Sequence, residues 1–117
     1  MSINLLLSNV GVLISLTLGL IALFRPQLIQ TFVSVQAIGK EGQSEIRATY
    51  GGFFIGISLY AIATQSNDAF IVIGIGWVTA SFIRFLSLFN DAFTQKNIGG
   101  VIFELLIGLL CLANLIT

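Results

Sequence analysis

The chain has 117 residues, 56% of them hydrophobic and 9% charged, with a formal net charge of zero and a mean hydropathy of +1.03. Soluble domains carry roughly 25% charged residues, and a soluble chain this short has too little interior to hide so much apolar surface. With a net charge of zero nothing suggests nucleic acid, which requires a concentrated basic surface, and the absence of His removes the commonest general base and metal ligand.

Four apolar stretches follow one another: Ile3–Phe24, Ser44–Thr64, Ala69–Asp91 and Ile98–Ile116. Each is close to the ~20 residues that cross the hydrocarbon core as a helix. None shows period-two alternation, and a membrane barrel needs more strands than this length supplies. The prediction is an all-α, four-helix integral membrane bundle forming one domain.

The first stretch lacks a basic leader and a small-x-small cleavage site before Arg25, so it reads as a retained span rather than a signal peptide. After it, Pro26 suits the first turn of a new helix. Leu28, Ile29, Phe32 and Val33 recur at helical spacing opposite Gln27, Gln30, Thr31 and Ser34. This spacing predicts a short amphipathic helix at the membrane surface, followed by a Gly39–Gly42 loop. Gln65–Asp68 is a very short turn, making the second and third helices antiparallel neighbours, with Asn67 or Asp68 capping the third. Ala92–Asn97 makes a similar turn before the fourth helix.

Alternating the spans places Arg25, Lys40, Arg47, Arg84 and Lys96 at or near one face and none near the other. By the positive-inside rule that face is cytoplasmic and both termini lie outside. Several charges fall inside the apolar stretches, where each costs ~2.5–3.5 kcal/mol by insertion scales and needs a partner. Arg84 and Glu104 come level on neighbouring helices, roughly 10 Å and 9 Å from the boundary at 1.5 Å per residue. Glu45, Arg47 and Asp91 lie shallower. The expectation is a polar cluster of Glu45, Arg47, Tyr50, Arg84, Asp91 and Glu104, acting as a structural clamp or as a ligand pocket. Three acids against two arginines weigh against a strong anion site.

Small residues recur at helical spacing on every span. Gly11, Ser15 and Gly19 mark the first, Gly51, Gly52 and Gly56 the second, Ala80 and Ser81 the third, and Gly100 and Gly108 the fourth, flanking Glu104. Such faces are what membrane helices pack through, and their surplus fits a homo-oligomer or a larger membrane complex. Aromatic residues on the second helix (Tyr50, Phe53, Phe54, Tyr60) and third (Trp77, Phe82, Phe85, Phe89) read as lipid-facing or interfacial. Cys111 reads as a buried, inert thiol. No CxxC or ligand-spaced acidic cluster offers a metal site, no motif signals a cofactor, and Gly74-x-Gly76 lacks the strand and third glycine of a nucleotide fingerprint.

The run Glu45-Ile-Arg-Ala-Thr-Tyr-Gly-Gly52, the later Arg84-Phe-Leu-Ser-Leu-Phe-Asn-Asp91 and the acid at Glu104 resemble a small bacterial integral membrane family known only as domain of unknown function four-three-four-five. The resemblance covers nearly the whole chain. It implies a bacterial inner-membrane location and a shared polar core of Glu45, Arg47, Tyr50, Gly51, Gly52, Arg84, Asp91 and Glu104. It supplies no reaction. Ala92 stands where that family pattern has Gly after the Asp. Together these features point to a non-enzymatic accessory or scaffold bundle, with membrane lipids as its surroundings. The alternative is a lipid-, small-molecule- or proton-handling bundle using the polar cluster.

Overall fold

The computed structural model describes residues 2–116, and side chains up to residue 115. It is all-helical, with no strand among the described residues. Helix α1 is Ile3–Phe24, α2 is Pro26–Val33, α3 is Gly39–Thr64, α4 is Asn67–Asn90 and α5 is Gln95–Cys111; a single 3₁₀ turn, Ala113–Ile116, ends the described chain. Helices α1, α3 and α4, at 22, 26 and 24 residues, are long and apolar enough to cross a membrane.

The helix ends follow from local chemistry. Ser2 Oγ accepts the Leu5 N–H, Ser66 Oγ that of Ala69 and Thr94 Oγ1 that of Asn97, satisfying donors that the first helical turn leaves open. Ser66 therefore caps α4, one or two residues before the Asn67 or Asp68 expected from sequence. Thr94 starts α5 three residues ahead of the apolar run. The expected loop at Gly39–Gly42 is instead the first turn of α3: Gly39 takes a positive φ of 64° and the Gly42 N–H donates to Ile38 O. Glu41 in that turn complements the helix dipole. The predicted amphipathic helix is present as α2, with Pro26 at its first position and Ser34 closing it in the left-handed region.

Helix α1 is central. On one side Gly19 faces α3, where a Cβ would sit 3.1 Å from Gly51 O; on the other Gly11 faces α5, where a Cβ would sit 2.8 Å from Cys111 N. Helix α4 packs along α5 through Gly74 and Gly108, where a Cβ at either would meet the other's carbonyl at 3.0 Å. Three of the four seams are thus built on glycine contacts, as close helix packing requires.

The fourth seam is different. Helices α3 and α4 meet around their connecting turn, where Ala61, Phe70 and Ile73 share a buried cluster with Val12, Ile107 and Cys111. Farther along they separate, and Phe54 and Trp77 stand between them with ring centroids 5.5 Å apart. A Cβ built on Gly56 or Gly76 would have no atom of a neighbouring helix within 4 Å. The expected antiparallel neighbours are therefore in contact only over part of their length, because aromatic rings rather than glycines occupy the gap. The result is a flattened bundle of 44 × 32 × 16 Å with a groove between α3 and α4.

Candidate functional site

The groove encloses about 1990 Å³ and is open to the outside. Its floor is α1 (Ser15, Leu18, Ile21); its walls are α3 (Tyr50, Phe53, Phe54, Ile57, Tyr60) and α4 (Val72, Ile73, Trp77), with Phe103 contributed by α5. The middle is apolar and aromatic. Ser66 and Asp68 mark one end, whereas Arg84, Lys96, Asn97, Glu104 and Thr31 mark the other. From Asp68 to Arg84 along α4 is roughly 24 Å at 1.5 Å per residue.

Arg84 and Glu104 form the polar end. Arg84 Nε donates to Glu104 Oε1 at 2.7 Å, Nη2 to Oε2 at 3.3 Å, and Nη1 to Asn97 Oδ1 at 3.4 Å. This fork geometry suits guanidinium and carboxylate and is stronger than a single-point contact. The Arg84 stem lies over Gly100, whose Cβ would fall 2.8 Å from Arg84 Cδ. Gly100 seats the stem and Glu104, one turn on, holds its head. Side-chain exposures of 33% for Arg84 and 13% for Glu104 leave the arginine side of the pair accessible from the groove.

Lys96 sits on the same lip. Its Nζ donates to Thr31 O of α2 at 2.7 Å, and it has no acidic partner among the described residues. An edge-on contact between Phe32 and Phe103, centroids 5.6 Å apart, is a further attachment of α2. With Ile29 packed against Ala22 and Ile46, these contacts hold the short helix across the basic end of the groove. The opposite end is tied by uncharged amides: Asn9 and Gln65 exchange bonds of 2.9 and 2.8 Å, and Asn114 Nδ2 donates to Asn67 Oδ1.

Of the six polar residues singled out by sequence, Arg84 and Glu104 meet, and Tyr50 lines the groove beside them. The other three do not join. Glu45 accepts from Thr49 Oγ1 on its own helix at 2.6 Å. Arg47 is exposed and outside the groove lining. Asp91 accepts from Ser87 and ends α4, its N–H bonded to Ser87 O. The cause is the separation of α3 from α4: α3 follows α1 on the far side of the groove, so Arg47 and Asp91 have no common meeting place.

The packing glycines divide likewise. Gly11, Gly19, Gly51, Gly100 and Gly108 are filled against neighbours, and Ser15 accepts from Trp77 Nε1 at 3.3 Å. A Cβ on Gly56 would meet nothing within 4 Å, and one on Gly52 only Arg47 O at 3.9 Å. Tyr50, Gly51 and Gly52 lie within a π-helical stretch, Arg47–Phe53, a feature frequent at functional sites.

In the sequence pattern Lys96 is only a topology marker, Thr31 one residue of the polar face of α2 and Asn97 the end of a turn, and none of the three stands out as a site residue. The available signal was Thr94, three residues before Asn97: a cap there starts the helix early and puts Lys96 in its first turn, at the groove's lip. Among the described residues no group of three or more His, Cys, Asp or Glu could hold a metal ion. No family model, curated protein or solved structure matches the chain.

Proposed function

We propose that the chain is a multi-pass integral membrane protein, with α5 as a fourth span, that accommodates a membrane amphiphile in the groove between α3 and α4 without catalysing a reaction. One observation carries this reading: a large apolar trough ends at the Arg84–Glu104 pair rather than leaving that pair sealed inside the bundle. A clamp serving stability alone has no use for such access. The volume is roughly twice the ~1,000 Å³ at the upper end of drug-sized pockets, which suits an acyl-chain lipid. The exposed Leu28, Phe53, Val72, Phe82, Ile83 and Phe89 fit a lipid solvent, since a water-facing apolar surface of that extent would aggregate. The likeness to domain family four-three-four-five supports a bacterial inner membrane.

A second reading, a scaffold that docks a transmembrane helix, is favoured by the unopposed Gly56, Gly76 and Gly99, all on the groove lining. One experiment separates the two. A Cβ at Gly76 meets nothing within 4 Å, so Gly76→Trp introduces an indole on the groove lining at a position outside the glycine seams. Native mass spectrometry of wild type released from detergent should show a monomer retaining lipid, and Gly76→Trp should lose at least tenfold of that retention. A dimer disrupted by the substitution would favour the scaffold. Equal retention by both proteins would defeat the amphiphile reading.

A further inference from the structure

We infer that the basic lip of the groove is a headgroup subsite selecting an anionic phospholipid, with Lys96 as its principal cation. The inference rests on the amphiphile reading and adds to it the class of lipid.

The charge balance at the two ends is unequal. Arg84 and Lys96 stand against Glu104 at one end, leaving one uncompensated positive charge; at the other Asp68 is the single charged lining residue. An anionic headgroup is therefore attracted to one end only. Glu104 is occupied by Arg84 through both carboxylate oxygens, so it neutralises Arg84 and leaves Lys96 as the free charge. Glu45 and Asp91 do not oppose this charge, because they are bonded within their own helices and lie outside the groove lining.

Lys96 is also poised. Its ammonium has three donors and spends one on Thr31 O. That bond fixes the head beside the groove while two donors remain for phosphate oxygens. Asn97 shares the lip, with its Oδ1 toward Arg84 and its Nδ2 on Ala92 O. A lipid phosphate here would gain charge-assisted hydrogen bonds from Lys96, and its chains would run along Phe103, Ile57 and Trp77 toward the far end. A soluble phosphate would gain the first of these contacts and not the second. The site accordingly belongs to a lipid.

Trp77 is the chain's one tryptophan and lines the trough, so it reports occupancy directly. The protein is reconstituted into phosphatidylcholine vesicles containing 10% of a lipid brominated on its acyl chains, either phosphatidylglycerol or phosphatidylcholine. Bromine in the groove quenches Trp77. Brominated phosphatidylglycerol should quench with an apparent association constant about fivefold above that of brominated phosphatidylcholine, the ratio expected from one lysine near an anionic lipid. Lys96→Gln should abolish the preference, bringing the apparent association constant of brominated phosphatidylglycerol down to that of brominated phosphatidylcholine, and Lys96→Arg should keep it. Helix α2 is also held by Ile29 packed against Ala22 and Ile46, so a lost preference reports charge rather than a displaced α2. Equal quenching by both lipids in wild type overturns the headgroup subsite while the amphiphile reading stands. Quenching by neither lipid overturns both. A preference that survives Lys96→Gln also overturns the assignment.

Discussion

At the scale of single residues, the Arg84–Glu104 pair is the most exposed to test. Breaking a fully buried pair costs ~3–5 kcal/mol because the surviving charge is stranded. Arg84 is 33% exposed toward the groove, so water or headgroups can reach it, and the cost of Glu104→Leu falls to about 1–3 kcal/mol. Glu104→Gln keeps a carbonyl acceptor for the guanidinium and should cost less than Glu104→Leu. The double substitution Arg84→Leu with Glu104→Leu removes both charges and should recover most of the loss, within ~1 kcal/mol of wild type. Thermal melts of the four proteins in one detergent check the order. An unchanged melting temperature for Glu104→Leu would show that the pair is not a clamp at all. Gly100 belongs to the same unit, since a methyl group there meets Arg84 Cδ and shifts the guanidinium off its acid.

At the scale of elements, glycines decide which helices touch. A Cβ on Gly108 would lie 2.6 Å from Val78 Cγ2 and 2.9 Å from Val78 N, and backbone cannot yield as a flexible side-chain tip can. Gly108→Ala should therefore destabilise the α4–α5 seam by about 1–3 kcal/mol. Gly76→Ala meets open space and should be neutral or stabilising by up to ~1 kcal/mol, the helical cost of glycine relative to alanine. Melts of the two variants side by side give the comparison; equal losses would mean that the seams are not glycine-built. The same contrast explains what the sequence could and could not convey. Periodic small residues identify faces fit for close approach, and Gly11, Gly19, Gly51, Gly100 and Gly108 are used that way. Nothing in the spacing of Gly56 and Gly76 says that Phe54 and Trp77 will keep their helices apart. Amphipathic α2 was legible because Pro26 and the Leu28–Val33 period are local signals. The groove was not, since it arises from a missing contact between distant segments.

At the scale of the whole molecule, hydrogen bonds sort the chain into two ends before any membrane is considered. Asn9 of α1 pairs with Gln65 of the α3–α4 turn, and Asn67 at the start of α4 pairs with Asn114 of the 3₁₀ turn after α5. Lys96 bonds to α2 at the opposite end, where Arg84 also lies. One end is tied by neutral amides with Asp68 nearby, and the other holds the cations. A bilayer reads such a difference as orientation, because positively charged ends resist export. For a chain that spans a membrane as proposed, the positive-inside rule predicts a cytoplasmic basic end and an external Gln65–Asp68 turn. The orientation bears on the lipid inference too, since the cytoplasmic leaflet is where anionic headgroups give a negative surface potential and where the Lys96 lip would meet them. Single cysteines at Asp68 and at Lys40, in a background with Cys111→Ala, test the arrangement in intact cells with a maleimide that does not cross membranes. Cys111 is buried, so its replacement removes a background thiol at the expense of a small cavity. Labelling at position 68 with protection at position 40 is the expected result, and permeabilised cells should label both. The reverse pattern would put the cationic lip on the outer side and take away the leaflet argument for an anionic lipid, leaving only the local charge of Lys96 to support it.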